Sequence, residues 1–308
     1  MPRSAIEFFS GIGAFSQAAR RHGIEVIAAY DQSASANQVF SANNHLSPSV
    51  RNLDTIGADH IPPADIWWLS PPCKPYTVRG KQRDDQDTRA ASLKQLLRIL
   101  PQRLPKIVLL ENVAAFENSR MHALMCEQLQ DLGYQHESLR LCPTMFGVPM
   151  RRPRFFLIAY TGDAGRRLLR QPPRRVPRAL TEYLEADACG AAALKLPAAI
   201  AQKYMQGFDI IDETDAHAQA ICFTSGYAKC MRAGGSMLRD TAGNIRRFSP
   251  SEMLRLFGFP DDFQIPADLP LDVCWRLIGN SVDVRCIDYL LNCLIGTECD
   301  TTLAASET

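Results

Sequence analysis

Short apolar runs alternate with helical patterns through the first half of this 308-residue chain. Stretches such as Ala14–His22 and Ser92–Leu100 carry apolar residues at helical spacing. Alternation of strand and helix predicts βαβ units, and therefore an α/β fold with a doubly wound, mostly parallel sheet. The runs with the length and composition of buried strands are Ala5–Phe9, Val26–Tyr30, Ile66–Leu69, Ile107–Leu110 and Phe155–Ala159.

The composition of the sequence changes after Tyr160. Glycines, prolines and arginines become frequent, which predicts a smaller domain of short irregular elements over residues 161–274. Helical patterns return at Ser249–Phe257 and at about Ser281–Leu294, and we expect the last helix to pack back on the first domain. The large domain is therefore predicted to be discontinuous, comprising residues 1–160 and about 275–296, followed by a tail at 297–308.

Composition and cysteine spacing exclude several classes of protein. The chain contains no apolar run of about 18 residues that could span a membrane and no signal-peptide pattern, so we expect a cytoplasmic protein. Its ten cysteines are scattered, without a CxxC pair or interleaved histidines. This spacing argues against a metal site and, in a reducing compartment, against a disulfide framework.

Arginines crowd the segment between Arg151 and Arg178, where the only acidic residue is Asp163. The net charge of the whole chain is only +1, which does not by itself indicate a nucleic-acid-binding protein. A solvated charged face is the ordinary explanation for a charged segment. A segment with so many arginines and a single acidic residue favours a phosphate-bearing partner.

A cysteine held between prolines follows the third apolar run, in the order Ser70-Pro71-Pro72-Cys73-Lys74-Pro75. Prolines fix their own backbone angle and bias the preceding residue toward extended conformations, so the chain must leave the sheet abruptly. Open α/β sheets place their reactive groups at the carboxyl ends of parallel strands. The pattern therefore makes Cys73 a candidate nucleophile, with an inert loop cysteine as the alternative.

Glycines in the loop Phe9–Phe15 allow the backbone to turn tightly and approach a ligand. The loop lacks the third glycine of the dinucleotide fingerprint, which disfavours a pyrophosphate cofactor. Asp31 ends the second strand and is suited to bind ribose hydroxyls, and Asp54, at the next predicted strand end, could meet an adenine amino group. Together these residues describe a nucleoside site, and S-adenosylmethionine is the leading candidate.

Glu111 leaves the fourth strand in Glu111-Asn112-Val113, at the sheet edge predicted for Cys73. A thiolate nucleophile and a carboxyl that bonds a ring nitrogen suit attack on an electron-poor ring, although a helix-capping role for Glu111 is an equal alternative. Arg152 and Arg154 lie on one side of an extended chain, where they could brace a phosphate or a flipped base.

These motifs, in this order, resemble those of the cytosine-C5 methyltransferases: Phe9-Ser10-Gly11-Ile12-Gly13, Pro71-Pro72-Cys73, Glu111-Asn112-Val113, Arg151-Arg152-Pro153-Arg154 and Gly279-Asn280-Ser281-Val282. Cys222-Phe223-Thr224 resembles the signature of the family branch that methylates tRNA-Asp. The resemblance covers almost the whole chain. It implies a Rossmann-like methyltransferase sheet with a target-recognition domain.

The resemblance also implies a mechanism. Cys73 would add to C6 of cytosine, Glu111 would hold N3 and the exocyclic amine, and Arg152 and Arg154 would support the base. The residues implied to bind S-adenosylmethionine are Phe9, Gly11, Ile12, Gly13, Asp31, Gln32, Asp54, Thr55, Pro71, Asn280 and Ser281. The residues expected to bind substrate are Lys74, Arg166, Arg167, Arg170, Cys222, Phe223, Thr224 and Tyr227.

Two positions depart from the family pattern, since Lys74 and Met150 both stand where glutamine is usual. Neither change removes a chemical group from the mechanism, and Lys74 adds a charge that could lower the thiol pKa or meet a phosphate. We predict a monomeric tRNA cytosine-C5 methyltransferase that acts on cytosine 38 of an anticodon loop. A restriction-modification DNA methyltransferase is the closest alternative, and a catalytically silent nucleic-acid-binding protein is a more distant one.

Overall fold

A computed structural model of the chain describes residues 3–74, 76, 84–162, 172, 175–185, 188, 192–229 and 234–295. The predicted substrate residues Arg166, Arg167 and Arg170 and the predicted tail at 297–308 lie outside the described residues. Every helix within the described ranges is too short or too polar to cross a membrane.

The described elements follow one another as strands and helices in the first half and as shorter elements in the second. The strands are β1 (Arg3–Phe8), β2 (Ile24–Tyr30), β3 (Ile66–Leu69), β4 (Ile107–Val113), β5 (Gln135–Leu141), β6 (Met150–Arg151), β7 (Arg154–Tyr160), β8 (Asp209–Asp212), β9 (Ala220–Ile221), β10 (Ser236–Arg239) and β11 (Ile245–Arg246). The α-helices are α1 (Ala14–Arg21), α2 (Ala34–Asn43), α3 (Ala91–Arg103), α4 (Arg120–Asp131), α5 (Ala198–Tyr204), α6 (Pro250–Leu256), α7 (Leu271–Asn280) and α8 (Val284–Ile295).

A six-stranded sheet with the order β2-β1-β3-β4-β7-β5 forms the centre of the fold. Strands β2, β1, β3 and β4 are parallel, whereas β7 runs antiparallel to both of its neighbours. The predicted α/β class is confirmed, and the sheet is mixed because the fifth predicted run, now β7, reverses direction. Strand β5 was not predicted, because it lies at the sheet edge and its sequence is mostly polar.

The central strands are apolar on both faces because helices cover both sides of the sheet. Neighbouring residues on one strand belong to different clusters: Trp68 packs in the cluster that contains α1 and α8, and Trp67 in the cluster that contains α3 and α4. All four residues of β3 are buried. This double burial explains why these strands read as continuous apolar runs.

Residues from the second half of the chain share a hydrophobic cluster with the first half. Phe15 of α1, Tyr227, Trp275 of α7 and Leu290 of α8 belong to one cluster. Within the described residues, the predicted smaller domain therefore has no core that is separate from this cluster. The proposed domain boundaries remain a prediction.

The last helix packs against the first, as predicted. Arg21 of α1 forms an ion pair with Asp288 of α8, with 2.5 Å between Nη1 and Oδ2, and the two helices pack against each other. Helix α6 matches the predicted segment within a residue at each end, because Ser249 caps its first turn and its side chain accepts a hydrogen bond from the N–H of Glu252.

Candidate active site

The candidate site lies at the edge of the sheet where parallel strands β1, β3 and β4 end. Strand β7 reaches the same edge with its first residue, because it is antiparallel to β4 and Arg154 lies opposite Val113. A parallel β7 would have placed Arg154 at the opposite edge. Three loops and the start of β7 therefore converge, and we call two of them the glycine loop (residues 9–13) and the Cys73 loop (residues 70–74).

The glycine loop turns through left-handed backbone at Phe9, Gly11 and Gly13, with φ of 57°, 53° and 89°. Asp31 holds this loop, since its Oδ2 accepts a hydrogen bond from the N–H of Gly11 at 2.8 Å. Its Oδ1 accepts one from the N–H of Ser33, the capping residue of α2, also at 2.8 Å. Asp31 therefore supports the loop in addition to any contact with a ribose.

The two glycines of this loop differ in their surroundings. A Cβ placed on Gly13 would lie 2.9 Å from the ring of Phe40, whereas one placed on Gly11 would meet no described atom within 4 Å. The hydroxyl oxygen of Ser10 is buried and has no hydrogen-bond partner among the described residues. An open face beside Gly11 and a hydroxyl that lacks a partner fit a polar ligand such as the nucleoside of S-adenosylmethionine.

Asp54 does not stand at a strand end, so this part of the prediction is wrong. Residues 53–55 form a turn and a bend between α2 and β3, because the chain pairs there only through an isolated bridge between Tyr30 and Ser49. The N–H of Asp54 donates to Asn52 Oδ1 at 2.9 Å, and Gln32 Nε2 donates to the same oxygen at 3.1 Å. Asp54 and Thr55 are exposed. Asn52 thus joins two predicted cofactor residues, Gln32 and Asp54, in one polar cluster.

Two side chains fix the Cys73 loop to its neighbours. Ser70 Oγ donates to the carbonyl of Phe9 at 3.0 Å, which ties the Cys73 loop to the glycine loop. Asn112 is buried, and its Nδ2 donates to the carbonyl of Pro71 at 3.1 Å. Asn112 was predicted only as part of a motif, and its sequence carries no signal that its amide reaches another loop.

Glu111 and Arg154 form an ion pair beside Cys73, with 3.1 Å between Oε1 and Nε, and both side chains are nearly buried. Burial raises the pKa of the Glu111 carboxyl, against the opposing charges of Arg154 and Arg152. Burial also raises the pKa of the Cys73 thiol; Arg154 opposes this rise and the charge of Glu111 adds to it. The resting Cys73 is therefore a protonated thiol next to a carboxyl and a guanidinium.

Arg152 is buried, and its guanidinium is bonded to protein atoms. Nη1 donates to the carbonyl of Phe223 at 2.6 Å and to Cys222 Sγ at 3.1 Å. Nη2 donates to the carbonyls of Gly279 and Ser281, at 3.0 and 2.5 Å. This placement does not favour the predicted role of Arg152 in supporting a base. Arg154, in contrast, lies beside Glu111 and Cys73.

The segment 222–227, called the Cys222 loop below, brings some of its residues to the site and buries others. Tyr227 is fully buried: its hydroxyl donates to the carbonyl of Ser236 at 2.8 Å and accepts from the N–H of Phe248 at 2.9 Å. Phe223 packs edge-on against Tyr227, with 5.1 Å between ring centroids. Burial of these apolar rings stabilises the core. Their packing therefore leaves neither ring available for direct contact with a substrate.

Cys222 and Thr224 are only partly buried. Burial raises the pKa of the Cys222 thiol, but the charges of Arg152 and Arg154 outweigh burial, and the net pKa is lowered. Thr224 Oγ1 donates to the carbonyl of Gly234 at 3.2 Å. Of the four predicted substrate residues in this loop, Cys222 is the one whose side chain bonds the arginines of the site.

The remaining predicted residues lie around the rim of the site. Lys74 is exposed next to Cys73, and Asn280 is exposed at the end of α7. Ser281 follows Asn280 and bonds Arg152 through its carbonyl. Met150 is fully buried, so this departure from the family pattern fills the core.

Arg89 is a residue near the site that the sequence did not single out. Its Nε and Nη2 donate to the two carboxylate oxygens of Asp87 at 2.8 and 2.7 Å, and its side chain is about half exposed. The hydrogen bonds to Asp87 raise the pKa of Arg89, and Cys73 in its thiolate form would add to this rise. No motif marks Arg89, because only the folded chain brings it near Cys73.

The geometry defines a class of site: a thiol, a carboxyl and a guanidinium at the strand ends of an α/β sheet, suited to covalent catalysis by cysteine. Within the described residues, no cluster of His, Cys, Asp and Glu could hold a metal ion. The chain belongs to the C-5 cytosine-specific DNA methylase family, whose model matches residues 4–295.

Three known proteins illustrate the similarity. The tRNA (cytosine(38)-C(5))-methyltransferase of Spodoptera frugiperda is 29% identical, over 96% of this chain and 99% of that protein. A type II methyltransferase of Neisseria gonorrhoeae is 30% identical, over 92% of this chain and 90% of that protein. The solved structure of an Entamoeba histolytica methyltransferase superposes with a TM-score of 0.86 at 26% identity, covering 96% of this chain and 98% of that chain.

Proposed function

We propose that this protein transfers a methyl group from S-adenosylmethionine to C5 of a cytosine in tRNA. The convergence of Cys73, Glu111 and Arg154 at one sheet edge is the observation that carries the proposal. These side chains match the needs of a reaction in which a thiol adds to a ring and a nearby acid bonds the ring nitrogen.

In the proposed reaction, the Cys73 thiol loses its proton to solvent, and its sulfur forms a bond to C6 of the cytosine and opens the C5–C6 double bond. Burial keeps the Glu111 carboxyl protonated to higher pH than usual, so Glu111 can donate its proton to N3 as electron density moves there. C5 then takes the methyl group. Removal of the C5 proton by a base restores the double bond, the proton on N3 returns to Glu111, and the Cys73 sulfur leaves as thiolate.

The cofactor site is proposed at the glycine loop and at the C-terminal end of α7, residues 279–281. S-adenosylmethionine, when bound, supplies an electrophilic methyl group and becomes S-adenosylhomocysteine. The open face beside Gly11 and the free hydroxyl of Ser10 would accept its polar atoms. Gln32 and Asp54, joined by Asn52, would lie toward its nucleoside end, and Asn280 and Ser281 toward its methionine end.

tRNA is the proposed substrate because the relatives that are tRNA (cytosine(38)-C(5))-methyltransferases align over almost their whole length. An unpaired cytosine of an anticodon loop also costs little to unstack, which the access of Cys73 to C6 requires. We further propose cytosine 38 of tRNA-Asp, or a similar anticodon loop, as the target of a monomeric enzyme. A cytoplasmic location stays a prediction.

DNA methylation is the second candidate, and the similarity to a type II methyltransferase supports it. Reading a base sequence in duplex DNA asks for an extensive recognition surface. The segment between β7 and α6 is short for that purpose, which favours tRNA.

One assay tests the proposal: transfer of labelled methyl groups to total tRNA and to genomic DNA, followed by mapping of the modified base. We expect 5-methylcytosine in a tRNA anticodon loop and no transfer by the Cys73→Ala variant. A second comparison uses an anticodon stem-loop RNA and a DNA duplex of the same loop sequence at one ionic strength. Equal or faster methylation of the duplex would assign the protein to the second candidate.

A further inference from the structure

Arg152 joins two segments that are far apart in the sequence. Its Nη1 bonds the Cys222 loop and its Nη2 bonds the last turn of α7 and its capping residue (residues 279–281), called the Gly279 turn below. The side chain of Arg152 is buried, and its Cζ lies 4.7 Å from the centre of the Phe257 ring. One planar guanidinium is therefore held by a ring on its face and by carbonyls from two segments at its edge.

The two segments also touch each other directly. A Cβ placed on Gly279 would lie 2.4 Å from the carbonyl oxygen of Thr224 and 3.0 Å from the nitrogen of Ser225. This approach is possible because glycine has no side chain. The backbone of the Gly279 turn thus rests on the backbone of the Cys222 loop, and Arg152 bonds both beside this contact.

The hydrogen bonds of Arg152 make the two positions interdependent. The carbonyls of Phe223, Gly279 and Ser281 accept from one rigid, planar group, so a shift of either segment changes the geometry at the other. A buried carbonyl that loses its donor costs free energy, which opposes independent movement. Cys222 shares Nη1 with Phe223, so the thiol also responds to a shift of the guanidinium.

We propose that Arg152 is a positioning residue that couples the Gly279 turn to the Cys222 loop, so that a ligand held at the turn changes the reactivity of the Cys222 thiol. The inference rests on the proposed function for the identity of that ligand, the methionine end of S-adenosylmethionine. It assigns Arg152 a role different from that of Arg154, which lies against Glu111.

The test measures alkylation of Cys222 by iodoacetamide, with and without S-adenosylhomocysteine, by mass spectrometry of the labelled peptides. In the wild-type protein we expect the ligand to change the rate at Cys222 by about fivefold or more, the usual lower bound for coupled sites. In Arg152→Lys the ligand should still bind, as measured by calorimetry, while its effect on Cys222 disappears. Lysine keeps the charge and loses the planar group that bonds both segments.

A control variant and a control cysteine accompany this comparison. Arg151→Lys alters the exposed neighbour in β6 and should keep the wild-type response. Cys126 on α4, whose Sγ lies 3.3 Å from His122 Nε2, should react at the same rate with and without the ligand in all three proteins. A direct shielding of Cys222 by the ligand would persist in Arg152→Lys and would overturn the inference.

Hydrogen exchange of the wild-type protein provides a measurement that does not depend on the folding of a variant. S-adenosylhomocysteine should increase protection of amides in both the Gly279 turn and the Cys222 loop. Protection confined to the Gly279 turn would overturn the inference and leave the proposed function intact. Absence of ligand binding to the wild-type protein would overturn both.

Discussion

The Cys73 loop and the Cys222 loop lie within electrostatic reach of the same two arginines, but their thiols are tuned in opposite directions. The Cys73 loop is fixed by Ser70 and Asn112, and its thiol has a raised pKa because of burial and the charge of Glu111. The Cys222 loop is fixed by Arg152, whose guanidinium bonds the sulfur, and the pKa of that thiol is lowered.

The two loops show that the acidity of a resting thiol and its position relative to the Glu111 carboxyl are set independently. Cys222 is the more readily ionised thiol, but Cys73 is the one that stands beside the carboxyl suited to bond a ring nitrogen. The more acidic thiol is therefore not the one that the site places next to its carboxyl.

The largest expected effect distinguishes the two cysteines. Cys73→Ala should lower turnover by at least about 10³-fold, because the covalent step is lost, while binding of S-adenosylhomocysteine is unchanged. Cys222→Ala should lower turnover by about tenfold, the scale of one lost hydrogen bond. Single-turnover methylation and calorimetry measure the two quantities. Equal losses of turnover in the two variants would contradict the distinction between the two cysteines.

Glu111→Gln should produce the next largest effect, and its two readouts should move in opposite directions. Turnover should fall by about 10²- to 10⁴-fold because the acid is lost. Alkylation of Cys73, measured at a pH where Glu111 of the wild-type protein is ionised, should become faster, since removing the carboxylate charge lowers the pKa of the thiol. Glu117→Gln, a change in the partner of Arg140, serves as the control and should alter neither readout. A slower Cys73 reaction in Glu111→Gln would contradict this explanation.

The buried acids of the two regions should differ in the sign of their effect on stability. Glu252, beside the Cys222 loop region, bonds both terminal nitrogens of buried Arg246 at 2.8 Å. Glu252→Gln leaves that charge uncompensated and should lower the free energy of unfolding by about 3–5 kcal/mol.

Glu7 lies in β1, just before the glycine loop. Its carboxyl accepts hydrogen bonds from the N–H and the hydroxyl of Ser16, and burial raises its pKa to about 8. Between its ordinary value of 4.5 and about 8, the unfolded chain releases the proton that the folded chain keeps, so stability falls as pH rises. Relative to the wild type, Glu7→Gln should therefore gain about 2–3 kcal/mol between pH 5 and pH 7, at about 1.4 kcal/mol per pH unit. Denaturant titrations at the two pH values measure the change. A parallel pH dependence of wild type and variant would contradict the raised pKa.

Asp31→Ala should have an effect that is confined to the cofactor side. The change removes two hydrogen bonds to backbone N–H groups, one in the glycine loop and one on Ser33, which caps α2. We expect weaker binding of S-adenosylhomocysteine by about 1.5–3 kcal/mol. In the absence of ligand, alkylation of Cys222 should stay at the wild-type rate. Unchanged affinity by calorimetry would remove Asp31 from the site.

Much of the fold was predictable because local patterns dictate it. Buried strands such as β3 are continuous apolar runs, and the capping residue Ser249 marks the start of α6. The predictions that failed depended on neighbours distant in sequence. Asp54 was assigned to a strand end that does not form, and Phe223 and Tyr227 were predicted to bind substrate, whereas their rings are buried in the core.

The sequence by itself determined which chemical groups are available and where the chain turns: Pro71 and Pro72 end the third strand abruptly, and the glycine loop can adopt left-handed backbone. Only the tertiary structure decided the direction of β7, which brings Arg154 to Glu111 instead of to the opposite edge. It also decided that Arg152 bonds two distant segments and Arg154 bonds Glu111. Two arginines two residues apart are alike in an extended strand, and their partners are set by long-range packing.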